Sequence, residues 1–217
     1  MEPLPARGRC GSRVAAEAER RARVAVFGGS FNPPHVAHVL AVVYALSTAP
    51  IDEVLVVPVF RHPFAKELAS FEERLAMCEL GLGWIPRVTV SPVERELGGE
   101  SLTLRTVEHL AEAHPDWSLR LLIGADVLGD LPKWHRFDRI AEVAPPLVLG
   151  RVGVVPPTPG EGSVPIPTAP LPVLPRVSST EIRSAIAAGD LDAVRARVPK
   201  AVLDFIEQHR LYRGADS

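Results

Sequence analysis

The sequence predicts an α/β fold: a Rossmann-like, doubly wound parallel sheet with helices on both faces and a helical segment at its C-terminal end. Three observations carry this. Short apolar runs rich in Val, Leu and Ile alternate with longer stretches of helical period, the pattern of strand–helix–strand units. The runs are apolar at consecutive rather than alternate positions, as in strands covered on both faces. The chain has 217 residues, 47% of them hydrophobic, which supplies one sizeable core.

The first strand is expected over residues 24–27, followed by a tight turn at Gly28 and Gly29. Glycine there frees the backbone for positive φ and for close approach of another group. A helix with an apolar majority follows over 35–46 and breaks at Ser47-Thr-Ala-Pro50. Residues 53–59 make the second strand, and a polar loop over 61–68 holds Lys66. Ser70 and Glu73 form a capping-box pattern ahead of a helix over 71–82. Next come a short strand at 87–91, a charged loop at 94–100 and a helix at 102–113, stopped by Pro115. A strand at 119–123 runs directly into Gly124-Ala-Asp126. Short helical stretches are expected at 128–134 and 137–143, and a strand at 146–149. Residues 154–175 are dense in proline, so they read as an extended surface connection with polyproline character. Residues 23–213 read as one domain, and residues 1–22, rich in Arg, Ala and Glu, as an extension that is disordered or weakly helical.

Composition narrows the function classes. A formal net charge of -2 gives no strong attraction to nucleic acid or acidic lipid. Cys10 and Cys78, the only cysteines, are too few and too far apart for a disulfide framework or a zinc site. No apolar run is long enough to span a bilayer, and the N-terminal residues have no signal-peptide core, so a cytoplasmic location is expected. A homo-oligomer stays open.

The most informative string is Val24-Ala-Val-Phe-Gly-Gly-Ser-Phe-Asn-Pro-Pro-His-Val-Ala-His38. It reads as a buried strand, a glycine turn and the first turn of a helix. His35 and His38 are three apart and share one face of that helix. A helix N-terminus presents unpaired N–H groups and positive potential, which suits phosphate. Two histidines at this spacing could serve as metal ligands, but no third His or Cys ligand lies nearby. The second string is Val177-Ser-Ser-Thr-Glu-Ile-Arg183. Ser178 and Glu181 form another capping box, which puts the N–H groups and hydroxyls of Ser179 and Thr180 where an anion would sit. Arg183, one turn further, can reach back with a doubly donating guanidinium. Alone this is a helix cap; paired with the histidine string it points to phosphate. Ligands of open α/β sheets sit beyond the carboxyl ends of the strands, where the Gly28 turn, the Lys66 loop and the Gly124 loop would all fall.

The first string resembles the signature of the nucleotidyltransferase superfamily, a Gly-Gly turn leading to a His-x-Gly-His helix start, with Ala37 at the third position of that start in place of glycine. The second resembles the Ser-Ser-Thr-x-Ile-Arg motif of members acting on pyridine mononucleotides. Gly124-Ala-Asp-Val-Leu-Gly-Asp-Leu-Pro-Lys-Trp134 resembles a third element, and Val198 to Tyr212 the family's C-terminal helix. The ordered similarity covers about residues 23–213 and is most like the bacterial nicotinate-nucleotide adenylyltransferases.

That resemblance implies in-line attack of a mononucleotide 5′-phosphate on the α-phosphorus of ATP, with magnesium accompanying the triphosphate and no protein ligand assigned to it. It implies that His35 and His38 contact ATP phosphates and that Arg183, Ser179 and Thr180 hold the β- and γ-phosphates. Gly28, Gly29, Ser30 and Phe31 would line the ATP side, and Gly124 and Asp126 would meet the ribose. Lys66, Thr103, Trp134 and Arg151 would serve the mononucleotide, Trp134 by stacking on the pyridine ring, although a partly buried core role is the plain alternative for a Trp. Lys66 keeps its place in a loop whose neighbours differ from the family's Pro-Pro-His-Lys. Arg74 and Met77 fit an Arg-x-x-Met helix, though on pattern alone Arg74 is a helix-surface charge. In the family's Ser-Tyr-Thr-x-Asp-Thr this chain has Ser101-Leu-Thr-Leu-Arg-Thr106, so Leu102 replaces the aromatic and Arg105 the acid. An arginine there could favour an anionic acceptor such as nicotinate mononucleotide over nicotinamide mononucleotide. Other readings are the same chemistry on another phosphate ester, and a nucleotide-binding sensor without turnover.

Overall fold

In the computed structural model the described residues are 21–61, 68–153 and 173–213. Residues 1–20 of the expected extension, Lys66 and residues 154–172 of the proline-rich connection lie outside them. Six strands form one parallel sheet in the order β3-β2-β1-β4-β5-β6. These are β1 (Ala22–Gly29), β2 (Glu53–Pro58), β3 (Val88–Val90), β4 (Trp117–Gly124), β5 (Pro146–Arg151) and β6 (Val173–Leu174). Strand order reverses between β1 and β4, the topological switch point beyond which open α/β sheets bind ligands.

The consecutive apolar runs form strands because both faces are covered. In β1, Val24 and Val26 enter one core with Leu55, Leu121 and Ile123; Ala25 and Phe27 enter the other with Val54, Val56 and Leu122. The register sets Val26 beside Leu55 of β2 and beside Leu121 of β4, so like residues share a face. The first face is closed by α3 (Val93–Leu97), α4 (Thr103–Ala113), a 3-10 helix (Ala125–Lys133) and α5 (Phe137–Val143). The second is closed by α1 (Val36–Thr48) and α2 (Phe71–Gly81). A third cluster joins α6 (Ser179–Ala187), α7 (Asp192–Arg195) and α8 (Lys200–Gln208) to Ala37 of α1 and Met77 of α2. Ile182, Ile186, Val202 and Ile206 are buried in it, each worth about 1.5–3 kcal/mol of apolar burial. The last part of the chain is thereby fastened beside the first helix.

Two local expectations change. Gly28 and Gly29 are not a turn: both are in β1, paired with Val57 and Pro58, and neither has a positive φ. The left-handed residue is Phe31, at φ 46°, two positions further. The expected loop at 94–100 contains α3, and Glu94 in it is buried. Ser70 and Glu73 do close the expected capping box, the Glu73 N–H reaching Ser70 Oγ and the Ser70 N–H reaching Glu73 Oε2.

Candidate active site

Beyond the carboxyl ends of β1 and β4 the chain leaves two adjoining cavities. The wider, about 1060 Å³, is lined by Ser30, Phe31, Asn32, His35, His38, Asp126 and the Arg176–Arg183 stretch. The narrower, about 550 Å³, runs along Gly28, Gly29, Val57, Glu94, Leu102, Thr103, Thr106, Gly124 and Trp134. Ser30, His35, His38 and Asp126 line both. Two strings that are some 140 residues apart in sequence thus line one cavity.

Each side chain is set by its element. Gly28 has nothing within 4 Å of where a Cβ would stand, so the floor of the narrower cavity is open there. Gly29 carries the Phe31 ring, which a Cβ would meet at 3.2 Å. That ring also packs edge-on against Phe27 and His38, with centroids 5.4 and 5.0 Å away. His35 is the N-cap of α1. Its N–H donates to His38 Nδ1 at 3.1 Å, and the two rings stack at 3.7 Å between centroids. A neutral imidazole accepting on Nδ1 carries its proton on Nε2, which makes His38 Nε2 a hydrogen-bond donor. At Gly124 a Cβ would displace the Asp126 carboxylate, so the glycine lets that carboxylate fold back over the end of β4.

The wall opposite is the start of α6. Ser178 Oγ accepts from the Thr180 N–H at 3.2 Å, but the expected reciprocal bond from Glu181 is replaced by a 3.8 Å approach to Arg197. The Ser179 hydroxyl does not face an anion position; it donates to the Pro33 carbonyl at 3.0 Å. Arg183 donates from Nη1 to the Asn32 carbonyl at 2.8 Å and from Nη2 to Thr180 Oγ1 at 3.4 Å. Those bonds fix the guanidinium across the seam between the two strings.

Trp134 closes the 3-10 helix, half-buried and edge-on to Phe137 with centroids 6.2 Å apart. Thr103 is the first residue of α4, half-buried at the narrower cavity. Arg151 ends β5. Arg105 is exposed and its guanidinium donates to the carbonyls of Leu97 and Gly98, away from both cavities. Its side chain is therefore not among those lining the narrower cavity.

Four residues were missed or misread at the sequence level. Arg74 is only 1% exposed, not a surface charge; it donates to the Ser30 carbonyl and the Ala69 carbonyl, both at 3.0 Å. Burial lowers its pKa from the usual arginine value. Glu94 Oε1 accepts from the Thr106 hydroxyl at 3.1 Å and Oε2 from the Phe60 N–H at 3.1 Å. Ser101 Oγ accepts from the same Phe60 N–H at 2.9 Å. Asn32, buried at 2%, accepts on Oδ1 from the Ala69 N–H and the Tyr212 hydroxyl. The signal for Asn32 was present, inside the histidine string; Arg74, Glu94 and Tyr212 had no pattern that marks burial of a polar group. Among the described residues no three His, Cys, Asp or Glu side chains form a metal-binding group, and no helix is long and apolar enough to cross a membrane.

Known proteins resemble this chain. The cytidylyltransferase-like family matches residues 26–185. A protein of Anaeromyxobacter dehalogenans (strain 2CP-C), named "Probable nicotinate-nucleotide adenylyltransferase", is 48% identical over 194 residues, covering 88% of this chain and 97% of the relative. A Myxococcus xanthus (strain DK1622) protein of the same name is 39% identical over 194 residues, 88% of this chain and 94% of its own. The fold is that of Plasmodium falciparum nicotinic acid mononucleotide adenylyltransferase, solved in complex with NaAD: TM-score 0.71, 18% identity, 88% of this chain and 97% of that one. With the histidine helix start and the Ser178–Arg183 helix start facing one cavity, the chain belongs to the cytidylyltransferase-like family and, within it, to the nicotinate-nucleotide adenylyltransferases.

Proposed function

We propose that this protein transfers the adenylyl group of MgATP to nicotinate mononucleotide, releasing pyrophosphate and forming deamido-NAD. The observation that carries this reading is the shared cavity: two helix N-termini, two imidazoles and an anchored guanidinium around one wide space, beside a narrower, mostly apolar one. Positive potential and N–H donors suit a triphosphate, and an apolar slot with an aromatic at its edge suits a flat ring. The names of the relatives support the pyridine mononucleotide as the acceptor.

In the proposed reaction an oxygen of the acceptor's 5′-phosphate forms a bond to the α-phosphorus of ATP. The bond from that phosphorus to the α–β bridging oxygen breaks, and its electron pair leaves on pyrophosphate. The nucleophile is already an anion at neutral pH, so no general base is needed and catalysis is positioning and charge stabilisation. His38 Nε2–H and His35 donate toward the phosphates, His38 nearest the α-phosphate. Arg183 and the N–H groups at Ser179 and Thr180 hold the β- and γ-phosphates, with Ser30 and Phe31 beside them. Gly124 and Asp126 meet the ribose, and Trp134 and Thr103 line the acceptor. Lys66 and Arg151 are assigned to the mononucleotide by family resemblance. Magnesium enters as part of the MgATP substrate, carried by phosphate oxygens and water rather than by a protein cage.

The test is pyrophosphate release with MgATP and either nicotinate mononucleotide or nicotinamide mononucleotide. Fast release with the first and slow release with the second is the expected outcome. Equal rates would move the acceptor assignment, and no release from a protein that binds ATP would overturn the reaction.

A further inference from the structure

The adenylyl-transfer reading gives the C-terminal stretch from Val198 to Tyr212 no task, yet its last described residues touch the phosphate loop. Arg210 and Tyr212 both have positive φ, at 53° and 62°, so the backbone turns sharply twice after α8. The turns aim Tyr212 back at the first helix, where its ring packs on the cluster of Ile182, Leu203 and Ile206. Its hydroxyl donates to Asn32 Oδ1 at 2.8 Å, across 180 residues of sequence.

Asn32 is a junction. Oδ1 takes two hydrogen bonds, from Tyr212 and from the Ala69 N–H at 3.1 Å. Its carbonyl takes the Arg183 Nη1 bond at 2.8 Å. On either side, Ser30 is held by Arg74 and Pro33 by Ser179. Of these tethers among the described residues, three end on backbone carbonyls and two meet on the Asn32 side chain. The residue whose side chain is held by Tyr212 and Ala69 is thus the one whose carbonyl receives Arg183.

We propose that Tyr212 is a positioning residue for the nucleotide: through Asn32 it sets the Ser30–Pro33 loop and the guanidinium of Arg183 against the triphosphate. It touches neither substrate. Burial pushes its phenol above the usual tyrosine range, outweighing the lowering effect of nearby Arg183 and Arg74, so it remains a donor at every working pH. The inference deepens the adenylyl-transfer reading and rests on it.

Tyr212→Phe removes one oxygen and keeps the packed ring, so the variant is expected to fold. Binding is read directly, by calorimetric titration with magnesium and an ATP analogue whose α and β phosphorus atoms are bridged by methylene. Loss of one hydrogen bond should weaken the analogue roughly threefold or more. The KM for the mononucleotide, at saturating ATP, should stay within roughly twofold. Lys200→Ala, which breaks an exposed pair with Asp204 on α8, should change neither. In a cycle with Asn32→Ala, the double variant should bind the analogue no worse than Asn32→Ala alone. Unchanged analogue binding in Tyr212→Phe, additive effects in the cycle, or equal weakening of both substrates with a lowered Tm would each overturn the inference. A wild-type protein that does not bind the analogue overturns the adenylyl-transfer reading itself, and the inference with it.

Discussion

The two cavities are held in shape by different means. Around the wider one, the loop between β1 and α1 is tied through its backbone: Arg74, Arg183 and Ser179 each bond a carbonyl, and the side chains come from helices far apart in sequence. Around the narrower one, a single buried carboxylate, Glu94, joins the end of β2 to α4, with Ser101 sharing one of its partners. The difference follows from what each side is proposed to recognise. A triphosphate needs N–H groups and cations at fixed points, which a firmly tied backbone supplies. A flat ring needs a slot of the right width, which packing supplies once the two walls are pinned.

Substitutions can break this contrast, and the largest effect is expected on the phosphate side. His38→Ala should lower kcat by roughly 10²–10³-fold, the usual cost of removing a donor aimed at developing charge. Its Tm should move little, because the ring replaced is at a helix start rather than in the core. Near-normal turnover of the folded variant would remove His38 from the reacting centre. Arg74→Met strips two buried carbonyls of their donor and should cost about 2–4 kcal/mol in stability by chemical denaturation. A loss below about 1 kcal/mol would mean that water replaces the guanidinium.

On the acceptor side, Glu94→Ala leaves the Thr106 hydroxyl with only its longer bond to the Leu102 carbonyl, and the Phe60 N–H with Ser101 alone. The KM for the mononucleotide should rise roughly tenfold while that for ATP stays constant. A rise confined to ATP would reverse the assignment of the two cavities. The smallest effect belongs to Arg105→Asp. Because the side chain lies on the Leu97 and Gly98 carbonyls, the preference between the two mononucleotides should hold within roughly twofold. A large change in preference would return Arg105 to the acceptor pocket.

The wider cavity is the more legible in sequence. His35, His38, Ser178, Thr180 and Arg183 come in two short strings whose spacing encodes a helix start, and a helix start has few ways to be built. The sheet was legible for a similar reason, since consecutive apolar runs suit only doubly covered strands. The Gly28–Gly29 turn was misplaced because glycine permits positive φ without demanding it; the ladder with Val57 and Pro58 took both residues, and Phe31 bears the left-handed turn. The burial of Arg74 and Glu94 is not legible, because it depends on carbonyls, hydroxyls and N–H groups from distant segments, which local pattern does not carry. The Ser179 hydroxyl was given to an anion for want of knowing that Pro33 lies beside it.

The span between the two strings bears on the order in which the protein is made. Strands β1 to β5 and the helices over them are complete by residue 151, so the sheet can form while the rest of the chain is still being synthesised. Arg183, Ser179 and Tyr212 have not yet emerged, and the loop over residues 30–33 lacks three of its tethers. The contacts that fasten this loop are those of great sequence separation, so they are expected to close after the sheet they rest on has formed.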